Sequence, residues 1–411
     1  MYFDYDERTK ELLDQLRLFI DEEVAPRQDT FHASLKVAEN PWAWSASSTL
    51  DELRILARER GLWNLFLPGD RGAGLTNLQY APLAEMTGYA GHLTIASLNC
   101  AAPDTGNMEL LDRFGTDEQK SRWLKPLLEG RIRSSFAMTE PNVASSDATN
   151  ICTSIKRDGD DFIINGRKWW ITGAMNPQAE LLIVMGKSSP DAPRHQQQSQ
   201  IIVPRDTPGV KICRGMEVFG YDHREKGGHA EIVFDDVRVP ATNLIGDEGQ
   251  GFAIAQARLG PGRIHHCMRA IGVAERAIAL MCQRAGSREA FGKSLSQQGV
   301  ILDWIARSRV EVEQLRLLVL KTAWLMDTRG NRAAHTEIQA IKIATPRTVQ
   351  NILDRAIQIH GAAGLCQDLS LAAAYAEVRT LRFADGPDEV HLASLGKREI
   401  VRQKAGKTNG L

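Results

Sequence analysis

The chain has 411 residues, which exceeds the usual size of a single domain, so we expect two or three domains. Its composition, 43% hydrophobic and 25% charged, is that of an ordinary globular protein. Lysine and arginine number 50 against 51 acidic residues, a net charge of -1, so no basic excess supports nucleic-acid binding.

The first third of the sequence predicts helices. Glu7 to Val24 is amphipathic, and Thr49 to Glu59 repeats the pattern, with Gly61 suited to the position just past a helix end. Thr116 and Gln119 have the spacing of a capping box, which predicts that a helix begins there. Further helical segments run from Leu78 to Tyr89 and from Gly106 to Phe114. We therefore expect an N-terminal helical domain over residues 1–130.

The middle third changes to the two-residue period of β-strands. Asp161 to Thr172 contains Asn165-Gly166, which predicts a two-residue hairpin turn between two strands. Short apolar segments predict further strands at Leu181–Met185, Ser199–Val203 and His229–Phe234, and the polar segment Ser188–Gln198 predicts an exposed loop. Because no helical segment separates these strands, we expect a small antiparallel β domain, a barrel or a sandwich, over residues 131–245.

From Gln250 onward the helical period returns and persists. Long helical segments are predicted at Gly251–Gly286, Gln298–Arg329, Thr336–Gly361 and Ala372–Phe383. Their lengths and short connections favour a helical bundle over residues 246–411. The sequence thus predicts an α+β protein with an N-terminal helical domain, a central β domain and a C-terminal bundle.

Targeting signals and cysteine spacing bear on the compartment. The residues after Met1 include no basic segment followed by an apolar one, and no stretch approaches the uncharged apolar length that spans a bilayer. The six cysteines form no CxxC pair and have no metal-ligand spacing with histidine, which favours reduced thiols and no metal site. We expect a cytoplasmic protein without a membrane or nucleic-acid partner.

Two segments of the middle third are the most specific. They are Phe136-Ala-Met-Thr-Glu-Pro-Asn-Val-Ala-Ser-Ser-Asp147 and Gly166-Arg-Lys-Trp-Trp-Ile-Thr-Gly173. In this order they resemble the two flavin-contacting segments of the acyl-CoA dehydrogenases. Leu98 to Glu109 and Gly262 to His266 are similar to the branch that includes the dehydrogenase domains of human acyl-CoA dehydrogenase family members ten and eleven. The resemblance spans nearly the whole chain and implies a four-helix bundle at the C-terminal end.

The first segment implies contacts with FAD. By resemblance, the backbone at Phe136, Met138 and Thr139 meets the flavin ring, and the Thr139 hydroxyl reaches toward its reactive nitrogen. Ser145 matches a serine that contacts cofactor phosphate and substrate. Family members usually read Gly-Ser-Asp here, whereas this chain reads Ala144-Ser-Ser-Asp147 with one extra residue.

The second segment implies an indole and a hydroxyl beside the same ring. Trp170 and Thr172 match these two groups in the family register. An arbitrary Trp-Trp pair more often serves strand packing. Because neighbouring strand residues face opposite sides of a sheet, we expect only one of Trp169 and Trp170 to touch the flavin.

Two later segments resemble parts of the FAD site that a neighbouring subunit supplies in this family. Arg288-Glu-Ala-Phe-Gly-Lys293 resembles the motif Arg-x-x-Phe-Gly, whose guanidinium suits a pyrophosphate, and Gln298 follows at about the family's spacing. Gln358 begins a segment that resembles Gln-x-x-Gly-Gly-x-Gly, a turn that lets backbone approach phosphates. Gly361 is kept there, and Ala362 replaces a glycine, a mild change if its φ is negative. The resemblance implies at least a dimer, with a tetramer favoured.

The late segment Arg382 to His391 matches the loop that carries the catalytic base in most family members. Asp385, followed by Gly386, stands where a glutamate usually stands. Other members carry the base directly before an arginine on the first bundle helix, but here Gly262 precedes Arg263 and cannot accept a proton. The resemblance therefore implies Asp385 as the base, although an Asp-Gly pair of unknown context more often only orders a turn.

Neighbouring polar residues have more than one interpretation. Asp388 is the alternative base, and Glu389 stands where the family often has glutamine, so it would contact FAD. Arg263, together with Ser145 and Gly386, would contact the substrate by resemblance. His265 and His266 are expected to be buried or interface histidines, with contact to the acyl chain or CoA as the alternative.

The reaction that the resemblance implies is FAD-dependent dehydrogenation of an acyl-CoA thioester to a trans-2,3-enoyl-CoA, as in fatty acid β-oxidation. Electrons would pass to an electron-transfer flavoprotein. A flavin oxidase of the same superfamily, acting on nitroalkanes with an aspartate base, is one alternative. A non-enzymatic flavin-bearing DNA-associated or interaction protein is another. The sequence predicts neither the chain length nor the branching or hydroxylation of the acyl group.

Overall fold

The computed structural model describes residues 4–35 and 47–406, so residues 1–3, 36–46 and 407–411 lie outside the described residues. The N-terminal third is helical, as expected. Its helices are α1 (Glu7–Phe19), α2 (Gln28–Ser34), α3 (Ser48–Glu59), α4 (Asn77–Ala90), α5 (His92–Ser97), α6 (Asp104–Phe114), α7 (Asp117–Gln119) and α8 (Lys125–Leu128). Short π-helical segments follow α1 and precede α8.

Two predicted helix boundaries are confirmed. The backbone N–H of Gln119 donates to Thr116 Oγ1 at 3.2 Å, and the N–H of Thr116 donates to Gln119 Oε1 at 3.2 Å, so the capping box starts α7. Gly61 has a φ of 69° just past α3, the conformation that glycine adopts most easily. Local residue chemistry therefore sets both boundaries.

The middle third forms one seven-stranded sheet. Its strands are β1 (Arg133–Ala137), β2 (Ser154–Asp158), β3 (Asp161–Thr172), β4 (Ala179–Lys187), β5 (Gln198–Pro204), β6 (Val210–Met216) and β7 (His229–Pro240). The strand order is β1-β4-β2-β3-β7-β6, with β5 also paired to β4. The pairing is mainly antiparallel, but β1 pairs with β4 in parallel, and β2 touches β4 in parallel at one position. Phe162, Ile164, Ile232 and Phe234 are among the buried side chains of its core.

The predicted hairpin turn at Asn165-Gly166 was wrong. These residues lie inside β3, and the turn joins β2 to β3, with Asp158 opposite Asp161. The pairing of β3 with β7 shifts register between Ile164 and Gly166, which marks a bulge. A Cβ at Gly166 would lie 2.3 Å from Thr153 Oγ1, so the glycine allows close approach of another chain segment rather than a turn.

The C-terminal part consists of α9 (Gly251–Ser287), a small hairpin of β8 (Glu289–Ala290) and β9 (Lys293–Ser294), and four further helices. These are α10 (Gly299–Arg329), α11 (His335–His360), α12 (Leu371–Thr380) and α13 (Asp388–Lys404). Helix α11 packs against α10, α12 and α13. The sequence did not predict α13, whose apolar residues Val390, Leu392, Ile400 and Val401 are exposed and so give no clear inward stripe.

The described residues belong to two compact units. The first unit combines Met1–Arg17, Leu75–Gly91 and Arg263–Leu411, as far as these ranges are described, and the second combines Leu18–Gly74 with His92–Gly262. The three-domain division at 130/131 and 245/246 stays a prediction. No helix within residues 4–35 and 47–406 is long and apolar enough to cross a membrane.

Candidate active site

In the second unit, a buried ion pair holds the segment that follows β1. Lys168 Nζ donates to the carbonyl oxygen of Met138 at 2.8 Å and to Glu140 Oε1 at 2.8 Å, and its side chain is 0% exposed. The Glu140 carboxylate also accepts the backbone N–H groups of Cys152 at 2.7 Å and Thr153 at 2.8 Å. The pair therefore fixes the Met138–Glu140 backbone from the protein side.

Both members of this pair are charged near neutral pH. Burial lowers the pKa of Lys168 to about 8, although Glu140 opposes that shift. Burial favours a higher pKa for Glu140, but Lys168 and the accepted hydrogen bonds outweigh it, and the net shift lowers that pKa. Sequence reasoning missed both residues. The signal was available, because Lys168 stands at an inward position in the alternation that buries Phe162 and Ile164.

Trp170 is the more exposed of the two adjacent indoles. It is 40% exposed with a φ of 55°, and the β3–β7 register shifts between Lys168 and Ile171. Trp169 is half-buried, and its backbone N–H donates to the carbonyl oxygen of Thr139 at 3.0 Å. A bulge, rather than simple strand alternation, thus presents Trp170 to the surface of this unit.

The extra residue after Ala144 is accommodated in a turn. The N–H of Asp147 donates to the carbonyl oxygen of Ala144 at 3.0 Å. Ser145 Oγ accepts the N–H of Glu140 at 2.9 Å, so its hydroxyl is tied to the segment that Lys168 holds. Ser145 is thereby fixed relative to the predicted flavin-contacting backbone.

Thr172 lies at the start of a hydrogen-bonded series of polar side chains. Thr172 Oγ1 is 3.0 Å from His229 Nδ1, and His229 Nε2 is 2.9 Å from His223 Nδ1. The Trp170 ring packs against His229 with 5.5 Å between ring centroids. Sequence reasoning placed His229 only at the start of a predicted strand and gave neither histidine a role in the site, because 57 residues separate Thr172 from His229.

In the first unit, the loop between α12 and α13 presents Asp385. Its φ is 57°, a left-handed conformation that aspartate tolerates better than most residues. Arg263 Nε donates to the Asp385 carbonyl oxygen at 3.0 Å, and His391 Nε2 donates to the same oxygen at 3.3 Å. Lys342 Nζ donates to the carbonyl oxygen of Leu381. Three buried or half-buried side chains thus hold the main chain of this loop.

The Asp385 carboxylate faces a neutral histidine. His266 Nε2 lies 3.8 Å from Asp385 Oδ2, and burial, reinforced by Arg269, lowers the pKa of His266 to about 4. A neutral ring does not lower the basicity of the carboxylate as an imidazolium would. His265 is buried against Tyr80, with 5.1 Å between ring centroids, and burial lowers its pKa to about 3. His265 is therefore a core residue.

Asp388, the alternative base, is held in an ion-pair network. Its Oδ2 lies 2.9 Å from Arg347 Nε and 2.8 Å from Arg382 Nε, and the side chain is 1% exposed. Burial favours a higher pKa for Asp388, but the two arginines outweigh it and lower that pKa. A carboxylate stabilised in this way is a poor proton acceptor. Glu389, in the same first turn of α13, is exposed.

The two segments that the family supplies in trans lie at the surface of the first unit. Arg288 is exposed beside the β8–β9 hairpin, and Gln298 Nε2 donates to the carbonyl oxygen of Ala290 at 3.3 Å. Phe291, at the hairpin tip, is 100% exposed. These groups are open to a partner or a ligand in the single chain.

The second of these segments begins where α11 ends. Gln358 is exposed, and Gly361 caps the helix with a φ of 65°. Ala362 lies in the 3-10 turn Gly361–Leu365 and is not among the described residues with positive φ. The replacement of a glycine by Ala362 therefore introduces no left-handed strain.

Comparison with known proteins identifies three family models along the chain. The acyl-CoA dehydrogenase N-terminal, middle and C-terminal domain models match residues 6–131, 135–237 and 249–400. A relative named probable acyl-CoA dehydrogenase FadE2, from Mycobacterium tuberculosis, is 57% identical over 90% of this chain and 89% of its own length.

Longer relatives and solved structures are also similar. Acyl-CoA dehydrogenase family member 10 of Mus musculus is 53% identical over 96% of this chain, and family member 11 of Homo sapiens is 50% identical over 96%. The chain spans 37% and 50% of their lengths. A candidate acyl-CoA dehydrogenase structure from Mycobacterium abscessus is 46% identical, with a TM-score of 0.94 over 98% of this chain and all of that one. A glutaryl-CoA dehydrogenase from Mycobacterium smegmatis in complex with FADH2 is 23% identical, with a TM-score of 0.79 over 96% and 95%.

Proposed function

Because the chain belongs to the acyl-CoA dehydrogenase family of FAD-dependent oxidoreductases, we propose that it converts an acyl-CoA thioester to the trans-2,3-enoyl-CoA. The observation that carries this proposal is the Asp385 loop, in which the half-buried Arg263 and the buried Lys342 bind main-chain oxygens while the carboxylate faces a neutral histidine. When bound, FAD supplies the hydride acceptor, and the chain supplies binding, orientation and the base.

The residues present fit FAD. Trp170 offers an exposed indole beside the Thr172 hydroxyl, and the Lys168–Glu140 pair fixes the backbone at Met138 and Thr139. The carbonyl oxygens of Met138 and Thr139 already accept hydrogen bonds from Lys168 and Trp169. We therefore expect the flavin ring to contact backbone N–H groups and the Thr139 hydroxyl of this segment. Phe136 would meet the ring through its backbone.

Further FAD contacts are proposed from the first unit. Arg288 would neutralise pyrophosphate through its guanidinium, with Gln298 next to it. Gln358, Gly361 and Ala362 would present backbone to the phosphates, and Ala362 fits because its φ is not positive. Glu389 would contact FAD from the first turn of α13.

Asp385 would remove the α-proton of the thioester. The proton passes from the α-carbon to a carboxylate oxygen of Asp385, while the backbone N–H of Asp385 stabilises the charge that develops on the thioester oxygen. Arg263 and His391, which bind the Asp385 carbonyl oxygen, would hold the loop in place for both tasks. Gly386 and Ser145 would contact the substrate. Arg263 would contact the substrate as well as hold the loop.

Gly386 would also keep the loop close to His391. A Cβ at Gly386 would lie 2.9 Å from His391 Nε2, the atom that donates to the Asp385 carbonyl oxygen. A side chain there would therefore displace the histidine that holds the loop.

We also propose a homotetramer that works in fatty acid β-oxidation in the cytoplasm and passes electrons to an electron-transfer flavoprotein. Support for the oligomer comes from the β8–β9 hairpin, where Phe291 is fully exposed in the single chain beside Arg288. A fully exposed phenylalanine in a segment that resembles an inter-subunit motif favours burial in an interface.

Replacement of Asp385 tests the proposed reaction. In Asp385→Asn, we expect the rate of anaerobic flavin bleaching by a saturated acyl-CoA to fall about 10²- to 10⁴-fold, because the base is lost while the shape is kept. The measurement is the visible spectrum during titration with acyl-CoAs of graded length. Exposed Asp368→Asn is the matched control and should bleach like the parent protein.

Other outcomes of this titration contradict the proposal. A yellow protein that no acyl-CoA bleaches would not be an acyl-CoA dehydrogenase. Rapid reoxidation of the reduced protein by oxygen, with bleaching by nitroalkanes, would favour the flavin oxidase. If acyl-CoA bleached the flavin of the Asp385→Asn variant as fast as that of the parent protein, the base would lie elsewhere.

Replacement of Phe291 tests the proposed oligomer. We expect Phe291→Asp to shift the mass from a tetramer toward smaller species, because a charge at a buried apolar contact is costly. Sedimentation velocity measures the distribution. Exposed Ile55→Asp, on α3, is the control and should leave it unchanged. A parent protein that sediments as a monomer would exclude the tetramer.

A further inference from the structure

Three arginines line a polar cleft of about 600 Å³ between α11 and α12, within the first unit. Arg347 comes from α11, Arg379 from α12, and Arg382 from the turn that follows α12. We call this feature the arginine cleft. We propose that the arginine cleft binds the phosphate group of a small polar phosphomonoester. The proposed dehydrogenation makes no use of such a ligand, so the inference goes beyond the proposed function.

The arginine cleft brings together donors that lack an acceptor. Arg347 and Arg382 each use Nε to bind Asp388 Oδ2, at 2.9 and 2.8 Å, and their Nη groups bind no other described residue. Arg379 Nη1 is buried and has no hydrogen-bond partner within the described chain. A guanidinium is permanently charged, and its rigid fork of N–H donors matches the oxygens of a phosphate. The unused donors therefore favour an oxyanion.

Gln350 gives the arginine cleft a buried polar wall. The residue is 6% exposed and lines the cleft, and its amide has no hydrogen-bond partner in the part of the chain that the structure describes. A buried polar group without a partner costs free energy, as does the buried Nη1 of Arg379. A ligand oxygen that accepts hydrogen bonds from both groups would remove this cost.

The guanidiniums of the arginine cleft are held in place before any ligand binds. Arg379 Cζ lies over the Phe383 ring, 4.5 Å from its centroid, so packing rather than an ion pair positions it. Arg347 and Arg382 are fixed by the shared Asp388 carboxylate, which is 1% exposed. Groups that are already oriented lose less conformational entropy when they bind a ligand.

Charge, shape and size together select the class of ligand. Among the described residues in and behind the cleft, three guanidiniums face two carboxylates, those of Asp388 and of Asp354 at the rim. One positive charge remains, which favours an anion. A tetrahedral phosphate offers oxygens in several directions, whereas a planar carboxylate suits one fork. A cleft of about 600 Å³ holds more than a free phosphate ion, and Tyr375 adds a hydroxyl for a polar remainder.

Calorimetric titration of the FAD-saturated protein tests the site directly. The probes are inorganic phosphate and glycerol phosphate, in a chloride buffer of constant ionic strength. We expect a dissociation constant below about 1 mM for glycerol phosphate and a weaker one for inorganic phosphate, which lacks the polar remainder. Dissociation constants above about 10 mM for both probes would overturn the proposal.

Charge variants locate the bound phosphate. Arg379→Gln should weaken binding of glycerol phosphate about tenfold to hundredfold, because a charge-assisted hydrogen bond is lost. Asp354→Asn should tighten it about two- to tenfold, because a like charge leaves the rim. Exposed Arg332→Gln, ahead of α11, is the matched control for loss of one surface charge and should leave binding unchanged. Equal weakening by Arg332→Gln and Arg379→Gln, or no tightening in Asp354→Asn, would contradict a site in this cleft.

The phosphates of FAD and of CoA are the competing occupants. Free FAD stays in excess throughout, and the titration is repeated with saturating CoA. We expect glycerol phosphate to bind with an unchanged dissociation constant. Competition with CoA or with added FAD would assign the cleft to the substrate or the cofactor and overturn the proposal. These titrations oxidise no acyl group, so their result is independent of whether acyl-CoA bleaches the flavin.

Discussion

Burial and partners decide the charge of single residues around the candidate site. His266 is neutral near pH 7 because burial lowers its pKa to about 4, whereas Lys168 keeps its charge through Glu140 despite complete burial. Asp388 stays ionised between Arg347 and Arg382. Residue type alone gives none of these outcomes, since each depends on a contact from a separate part of the chain.

Removal of Lys168 should be severe. Lys168→Met leaves Glu140, 5% exposed, without its cation, and we expect the free energy of unfolding to fall by about 3–5 kcal/mol. Urea unfolding in constant excess FAD measures it. The double variant Lys168→Met, Glu140→Gln should recover part of the loss, because no unpaired charge remains. A loss below about 1 kcal/mol in the single variant would contradict this account.

At the scale of elements, glycine allows α4 and the later part of α9 to touch. A Cβ at Gly272 would lie 1.9 Å from the carbonyl oxygen of Glu85, and one at Gly88 would lie 2.0 Å from that of Arg269. Both distances are far inside van der Waals contact with backbone, which cannot move aside cheaply. The two helices of this unit are therefore in backbone contact at these glycines.

Gly272→Ala should separate these helices. We expect a loss of about 1–3 kcal/mol in the free energy of unfolding, because the added methyl overpacks a backbone contact. Gly286→Ala is the matched control on the same helix, since a Cβ there meets nothing within 4 Å. It should be neutral or stabilising by up to about 1 kcal/mol. Equal effects from both variants would exclude the proposed crowding.

At the scale of the whole molecule, buried titratable groups set how stability depends on pH. Burial lowers the pKa values of His265, His266 and His391 to about 3, 4 and 4, against 6.5 as the ordinary value. Burial raises the pKa of Glu109 to about 8, although Arg258 opposes it. Between about pH 6.5 and 4.5 the unfolded chain binds three protons at the histidines that the native protein excludes. In the same pH range the native protein holds one proton on Glu109 that the unfolded chain has lost.

Stability should therefore fall on acidification. About two extra protons bind the unfolded state in this window, so the free energy of unfolding should fall by up to about 3 kcal/mol per pH unit below pH 6.5. Above pH 6.5 the Glu109 contribution has the opposite sign, so it lowers the free energy of unfolding between about pH 6.5 and 8. Urea unfolding at graded pH measures the curve.

Two variants separate the contributions. His265→Phe should reduce the slope between pH 6.5 and 4.5 by about 1.4 kcal/mol per pH unit, and Glu109→Gln should increase it by a similar amount. Variants that leave the slope unchanged would show that these groups titrate alike in the native and unfolded states.

The sequence by itself determined the family, the order of helices, strands and bundle, and the local caps at Gly61 and Thr116. These features depend on residue type and spacing within a few positions, where local chemistry decides the outcome. The FAD cofactor followed from the same family motifs. The placement of the base at Asp385 also came from a motif and stays a prediction.

Only the tertiary structure decided which residues support the site. The pairing of β3 with β7 overrode the turn preference of Asn165-Gly166 and converted it to a bulge. The contacts of Lys168 with Glu140 and of Thr172 with His229 join residues 28 and 57 positions apart. No local pattern encodes such partners, because they meet only when separate segments are brought together by the sheet and its buried core.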